Sequence, residues 1–161
     1  MEMKKLDLLR LYNAILSLEG TQHSVKFSYL VAKNKVAMKD EIETLEEVSK
    51  SSEEFKVYED SRIKLAQKYA DKNDDGSTKI QDNNFVLTVN AEVFQKEFDK
   101  LKAKNKDLIA DRDKQVKEFE ELLEGTVEFE GTKINFKDIP ASMDPVMMEC
   151  LILADLIVEE E

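Results

Sequence analysis

The residues best spaced for chemistry are Asp71-x-Asn73-x-Asp75-Gly76, which open like the first half of a calcium-binding EF-hand loop, with Asp82 at the twelfth position. In such a loop, oxygens at alternate positions converge on the ion and the glycine makes the sharp turn. The rest of the pattern departs from it. Ser77 would offer only its carbonyl, Thr78 replaces an apolar residue, Lys79 is a poor ligand, and Asp82 is shorter than the usual bidentate Glu. The residues that follow read as a strand, not as an exiting helix. Asp, Asn and Gly are also what any tight turn uses, through side-chain bonds to backbone and tolerance of positive φ. The departures favour turn chemistry; calcium held by Asp71, Asn73, Asp75 and Asp82 is the competing expectation.

Other chemistry has little to stand on. His23 is the one histidine and Cys150 the one cysteine, so neither a zinc site nor a Ser-His-Asp arrangement has its parts. Cys150 lies among Met148, Leu151 and Ile152, the setting of a buried, inert thiol. Glu41, Glu43, Glu46 and Glu47, and again Glu118, Glu120 and Glu121, fall mainly off the apolar seams and read as solvated helix faces. With four glycines and no phosphate-loop or dinucleotide pattern, a nucleotide cradle is not expected. The reading is of a protein that is not an enzyme and takes no cofactor.

The charge narrows the partners. Thirty-five acidic against 24 basic residues give a net charge of −11, which opposes direct binding of nucleic acid through phosphates and suits a basic or amphipathic protein surface. The same acids also serve solubility. The apolar run near Cys150–Leu153 is far short of the roughly 18 residues of a membrane span, and the lysine- and acid-bearing start has no secretory pattern. No membrane association is expected.

The elements that must position these residues are mostly helices. A helix over about Lys4–Leu18 places Leu8, Leu11, Tyr12, Ile15 and Leu16 together and ends toward Gly20. Val25-Lys26-Phe27-Ser28 alternates as a short extended stretch would, with Ser28 as the cap of a helix running to about Lys72. That helix carries a narrow stripe through Met38, Ile42, Leu45, Val48, Phe55, Tyr58, Leu65 and Tyr69, interrupted by Ser52 and Arg62. A second helix starts at Asn90 and runs through Phe94, Phe98, Leu101, Leu108, Val116, Phe119 and Leu122 to Gly125, interrupted by Asn105 and Arg112. Two such helices joined by a short connection fold back as an antiparallel, coiled-coil-like hairpin. At about 1.5 Å per residue the longer one would span roughly 65 Å. Arg62 and Arg112 are expected to lay their stems on the seam and reach acids on the facing helix, fixing register.

Thr78–Ile80 and Phe85–Val89 read as a small β-hairpin, and Thr126–Phe129 with Lys133–Phe136 as a second one, its apolar face made of Val127, Phe129, Ile134 and Phe136. Asp144-Pro145 opens a last helix as an N-cap and N1 pair, carrying Val146, Met147, Cys150, Leu151, Leu153, Ala154 and Ile157. The expectation is a mainly α fold: one elongated domain over residues 1–161, with a helical arm at about 28–124 and a globular base from about 1–24 and 126–158.

The order Val25-Lys26-Phe27-Ser28-Tyr29, then Glu59, Arg62, Leu65 and Lys68-Tyr69, then the turn at Lys72–Gly76, resembles a family of small, uncharacterised phage and prophage proteins. Phe94, Glu97 and Leu101, the strand Val127-Glu128-Phe129, Ile139-Pro140 and the closing leucine-rich helix continue the resemblance, which covers about Val25–Val158. It implies a phage origin and assigns no functional residue. The combined expectation is a non-enzymatic interaction protein in the cytoplasm of an infected bacterium or in the virion, acting in virion assembly with a phage or host protein and able to form a homodimer. An acidic inhibitor of a host defence or nucleic-acid-binding protein is the alternative, and a calcium-responsive module the second.

Overall fold

The computed structural model describes residues 1–159. In chain order the elements are β1 (Glu2–Lys4), α1 (Lys5–Ser17), α2 (Val25–Ser49), α3 (Glu53–Tyr69), β2 (Ile80–Gln81), β3 (Asn84–Phe85), α4 (Ala91–Lys104), α5 (Lys106–Glu124), β4 (Thr126–Glu128), β5 (Ile134–Asn135), a 3₁₀ turn (Phe136–Asp138), α6 (Pro145–Leu153) and β6 (Ile157–Val158). The fold is mainly helical with small two-stranded sheets. No helix among the described residues is long and apolar enough to cross a membrane. The chain forms two compact units, Met1–Ser49 with the residues from Lys117 onward, and Lys50–Val116. This division differs from the expected arm and base: residues 25–49 and 117–124 belong with the terminal segments.

The reason lies in α2. Phe27, Val31, Met38, Ile42 and Leu45 recur at helical spacing and are all buried, joining Leu8, Leu11 and Ile15 of α1 and Met147, Cys150 and Leu151 of α6 in one core. Each fully buried large apolar side chain contributes about 1.5–3 kcal/mol. The helix starts earlier than expected. The Ser24 hydroxyl accepts from the Phe27 N–H at 3.2 Å, so Val25–Ser28 is the first turn of α2 and not an extended stretch. Only Phe27 of that turn needs burial, while Val25 stays 86% exposed, and this mimicked a strand-like alternation.

The second expected β-hairpin does not form. β4 pairs antiparallel with β1, placing Met3 opposite Val127, and β5 pairs parallel with β6, placing Ile134 opposite Ile157. Phe129 and Ile134 are buried as the alternation implied, but Phe136 begins the 3₁₀ turn and is exposed. Between them the chain is held from α2. Asn34, 1% exposed, donates from Nδ2 to the Thr132 carbonyl at 2.9 Å and accepts the Thr132 N–H on Oδ1 at 2.6 Å. One side chain thus satisfies both backbone groups of a residue outside any ladder. Asp144 caps α6 through the Val146 N–H at 2.8 Å with Pro145 at its start, as read from the sequence.

In the unit Lys50–Val116, α3 packs on α4. At one end the Asn90 Nδ2 reaches the Tyr69 carbonyl, and at the other the Gln115 Nε2 donates to the Lys50 carbonyl at 2.8 Å, so the chain returns antiparallel to α3. Neither arm is one continuous helix. Ser52, one of the stripe's interruptions, accepts the Phe55 N–H at 3.1 Å and caps α3. Asn105 donates to the Leu101 carbonyl at 2.8 Å and separates α4 from α5. Short polar side chains in a seam bonded the backbone and broke the helix there. Ser52→Ala is expected to lower stability by about 1 kcal/mol, and Ser52→Asp to keep it, as read from urea denaturation midpoints.

Candidate functional site

The segment 71–90 is a compact tip made of turns. Lys72 and Thr78 form an antiparallel bridge, the Asn73 N–H donates to the Ser77 carbonyl at 2.9 Å, and Gly76 takes a φ of 81° to close the turn. The first β-hairpin follows as expected, with Ile80 opposite Phe85 and Gln81 opposite Asn84. Its two turn residues, Asp82 and Asn83, have φ of 49° and 61°, the doubly left-handed backbone that suits the strands' twist and that Asn and Asp tolerate.

The side chains of Asp71, Asn73 and Asp75, three of the four residues of the calcium-like pattern, bond within this tip. The Asp71 carboxylate accepts the Thr88 and Val89 N–H groups, at 3.2 and 3.1 Å, and the Thr88 hydroxyl, tying the end of α3 to the approach to α4. Asp75 accepts the Ser77 N–H at 2.9 Å and hydroxyl at 2.6 Å, an Asx turn on its own loop. Asn73 donates to the Ser77 hydroxyl, and Asp82 sits in the β2–β3 turn. Among the described residues no three His, Cys, Asp or Glu side chains group so as to hold a metal ion. With the Asp71 and Asp75 carboxylates bonded to backbone and hydroxyl groups of the tip, millimolar calcium is expected to leave the thermal midpoint unchanged, since an ion bound only by the folded state would raise it.

Asp71 gives the tip a pH response. The Thr88 hydroxyl and then the Val89 N–H hold its carboxyl below the usual carboxylate range. A group depressed on folding stabilises fully above its unfolded value of about 3.9 and loses that contribution as pH falls through the lower folded value. Amide exchange at Thr88 and Val89 is expected to accelerate, relative to neighbouring amides, as the solution is acidified below that range. In Asp71→Asn the acid-induced change should vanish.

The remaining sequence-derived residues have structural settings. His23 Nε2 lies 2.6 Å from the Thr21 hydroxyl, and its ring meets Phe27 edge-on at 5.4 Å. Cys150 is buried, and burial pushes its thiol up, away from nucleophilic ionisation. Glu41 pairs with Lys5 at 2.8 Å and Glu43 with Lys39 at 3.5 Å. Arg62 reaches Glu59 on its own helix at 2.9 Å, not an acid across the seam. The i, i+3 spacing offers it a partner with little ordering of the chain. The Arg112 guanidinium lies 5.9 Å from the Phe55 ring centre on α3 and donates to Gln115 Oε1 at 2.7 Å.

What distinguishes the unit Lys50–Val116 is how little it buries. Of its apolar side chains only those of Tyr58 and Ala70 are buried. Phe55, Leu65, Phe94, Phe98, Leu101 and Leu108 stay half-buried along α3, α4 and α5, and Val57, Ile63, Ile80, Val89 and Val93 are exposed. Phe94 and Phe98 stack with ring centres 5.5 Å apart. The seam spacing located these residues; it did not reveal that they lack full cover. Compared with known proteins, the chain matches no family model, no curated protein and no solved structure.

Proposed function

We propose that this chain is a non-enzymatic phage protein that works through protein–protein contact, as an accessory component of virion assembly in the infected cell. The observation that carries the reading is the half-buried aromatic and aliphatic seam of Lys50–Val116, in which α4 and α5 contain no buried residue at all. Aromatic side chains on a helical surface are what a partner's helix or groove anchors on. The resemblance to small phage proteins supports the cellular setting. The test is a pull-down of tagged protein from infected cells, washed at low and high salt. Phage structural proteins that survive high salt are the expected result, because an apolar contact is little weakened by screening.

The net charge of −11 favours one second reading, an acidic inhibitor of a basic host protein. It predicts instead a single host partner that salt removes, since charge-steered contacts weaken as ionic strength rises. Phe94→Ala or Phe98→Ala would then leave binding intact, whereas on the assembly reading either one weakens it.

A further inference from the structure

The net charge of the whole chain conceals a local surplus of the opposite sign. Lys50–Val116 holds 14 basic and 14 acidic residues, so the whole excess of acid lies in the other unit. Within this neutral unit the cations gather. Residues 61–70 at the end of α3, and 93–106 from α4 to the first residue of α5, carry eight cations and two carboxylates, Glu97 and Asp99, with Asp60, Glu92 and Asp107 at the margins. The two stretches meet where α3 packs on α4. Lys100 donates to Glu97 at 2.7 Å, and that carboxyl is held below its ordinary range first by this bond and further by Lys68 of α3. Arg62 is matched by Glu59 and Lys100 by Glu97, but Lys64, Lys96, Lys104 and Lys106, all exposed, take no ion pair among the described residues. Lys68 and Lys102 lie over the rings of Tyr69 and Phe98, 4.8 and 5.5 Å from their centres. The same section contains the seam that lacks full cover, with Leu65, Tyr69, Phe94, Phe98 and Leu101 all half-buried. Apolar surface and positive charge coincide.

We propose that this section is the docking surface for an acidic amphipathic helix of another protein, whose apolar side lies on the seam and whose carboxylates meet the lysines. The inference rests on the reading of the seam as a protein contact and names the chemistry of the partner. Charge complementarity decides the sign: ammonium groups without an acid of their own, standing beside the seam, favour carboxylates and oppose a lysine-rich helix. A helix suits an antiparallel pair of helices, because its anchors at i, i+3 and i+4 run along the groove between them. A second copy fits less well. Its carboxylates on α2 and the end of α5 belong to helices whose apolar side chains, Ile42 and Leu45 on one and Phe119 and Leu122 on the other, are taken up by its own core. Single-stranded nucleic acid needs open ring faces for its bases, whereas Phe98 already has Phe94 stacked with centres 5.5 Å apart and Lys102 over its ring.

The experiment uses the full chain and three labelled synthetic helical peptides that share one leucine stripe and differ only on the polar side, which is glutamate, glutamine or lysine. Binding is read by fluorescence anisotropy, with circular dichroism to check the folding of each variant. The glutamate peptide is expected to bind about tenfold tighter than the glutamine peptide, which is what a handful of exposed ion pairs adds, and the lysine peptide to bind weakest. The chain carrying Lys64→Glu, Lys96→Glu and Lys104→Glu together should invert that order with unchanged helicity, since none of the three takes part in an ion pair. Phe98→Ala should weaken all three peptides. Equal affinity for the three, an order that the triple variant leaves unchanged, a single-stranded oligonucleotide that displaces the glutamate peptide at equal concentration, or no binding of any peptide would each overturn the proposal. Equal affinities that still depend on Phe98 would leave the seam standing as a contact surface. A pull-down without phage proteins, beside a chain that selects the glutamate peptide, would count only against the assembly reading.

Discussion

Replacing Asn34 with leucine is expected to lower the folding free energy by about 3 kcal/mol, the largest loss foreseen for a single polar side chain here. The partly buried Thr132 N–H and carbonyl would lose their partner, and each such group left unpaired costs about 1–3 kcal/mol. Leucine is similar in size, so the cavity contribution is small and the loss isolates the two hydrogen bonds at 2.9 and 2.6 Å. Thr132→Ser should stay near wild type, because only the backbone of that residue is used. Urea denaturation of both variants makes the comparison; equal midpoints would mean that water replaces the amide without loss.

The second large effect is expected at Gly131. A Cβ built there would stand 2.3 Å from Leu156 Cδ2 and 2.8–2.9 Å from the Phe129 ring, and both neighbours are buried. No positive φ demands glycine at this position, so the requirement is one of space alone. Overpacking of this kind costs about 1–3 kcal/mol, and two buried neighbours with little room to retreat put Gly131→Ala toward the upper end. Leu156→Val removes the closest atom. In that background the alanine should cost less by at least about 0.5 kcal/mol, a coupling that thermal unfolding of the four proteins would reveal.

These two residues also show where sequence reading stops. The spacing Phe27, Val31, Asn34, Met38 puts an amide on a buried stripe, yet a helical Asn is ordinarily on the surface and nothing local says that Thr132 will need it. Elements with local causes were legible: α1, the Asp82-Asn83 hairpin and the Asp144-Pro145 start of α6 each follow from residues within a few positions. Partners distant in sequence were not. Val127 and Ile134 alternate as two arms of a hairpin would, and adjacency argues for pairing them, but Met3 and Ile157 take those places. Ser52 and Asn105 were seen as interruptions of the stripes; their backbone hydrogen bonds made them breaks. The turn at Asp75–Ser77 was legible because neighbouring residues make it, whereas the reach of Asp71 to Thr88 depends on the whole tip.

The pairing of Glu2–Lys4 with Thr126–Glu128, and of Ile134 with Ile157, has a consequence for biosynthesis. Until Thr126–Glu128 has been synthesised β1 has no partner, and until α6 follows the apolar faces of α1 and α2 lack the helix that covers them. In Lys50–Val116, by contrast, α3 and α4 meet within one continuous stretch of chain. The contacts of the middle segment thus close over short loops, whereas β1 closes on its partner across the whole of that segment.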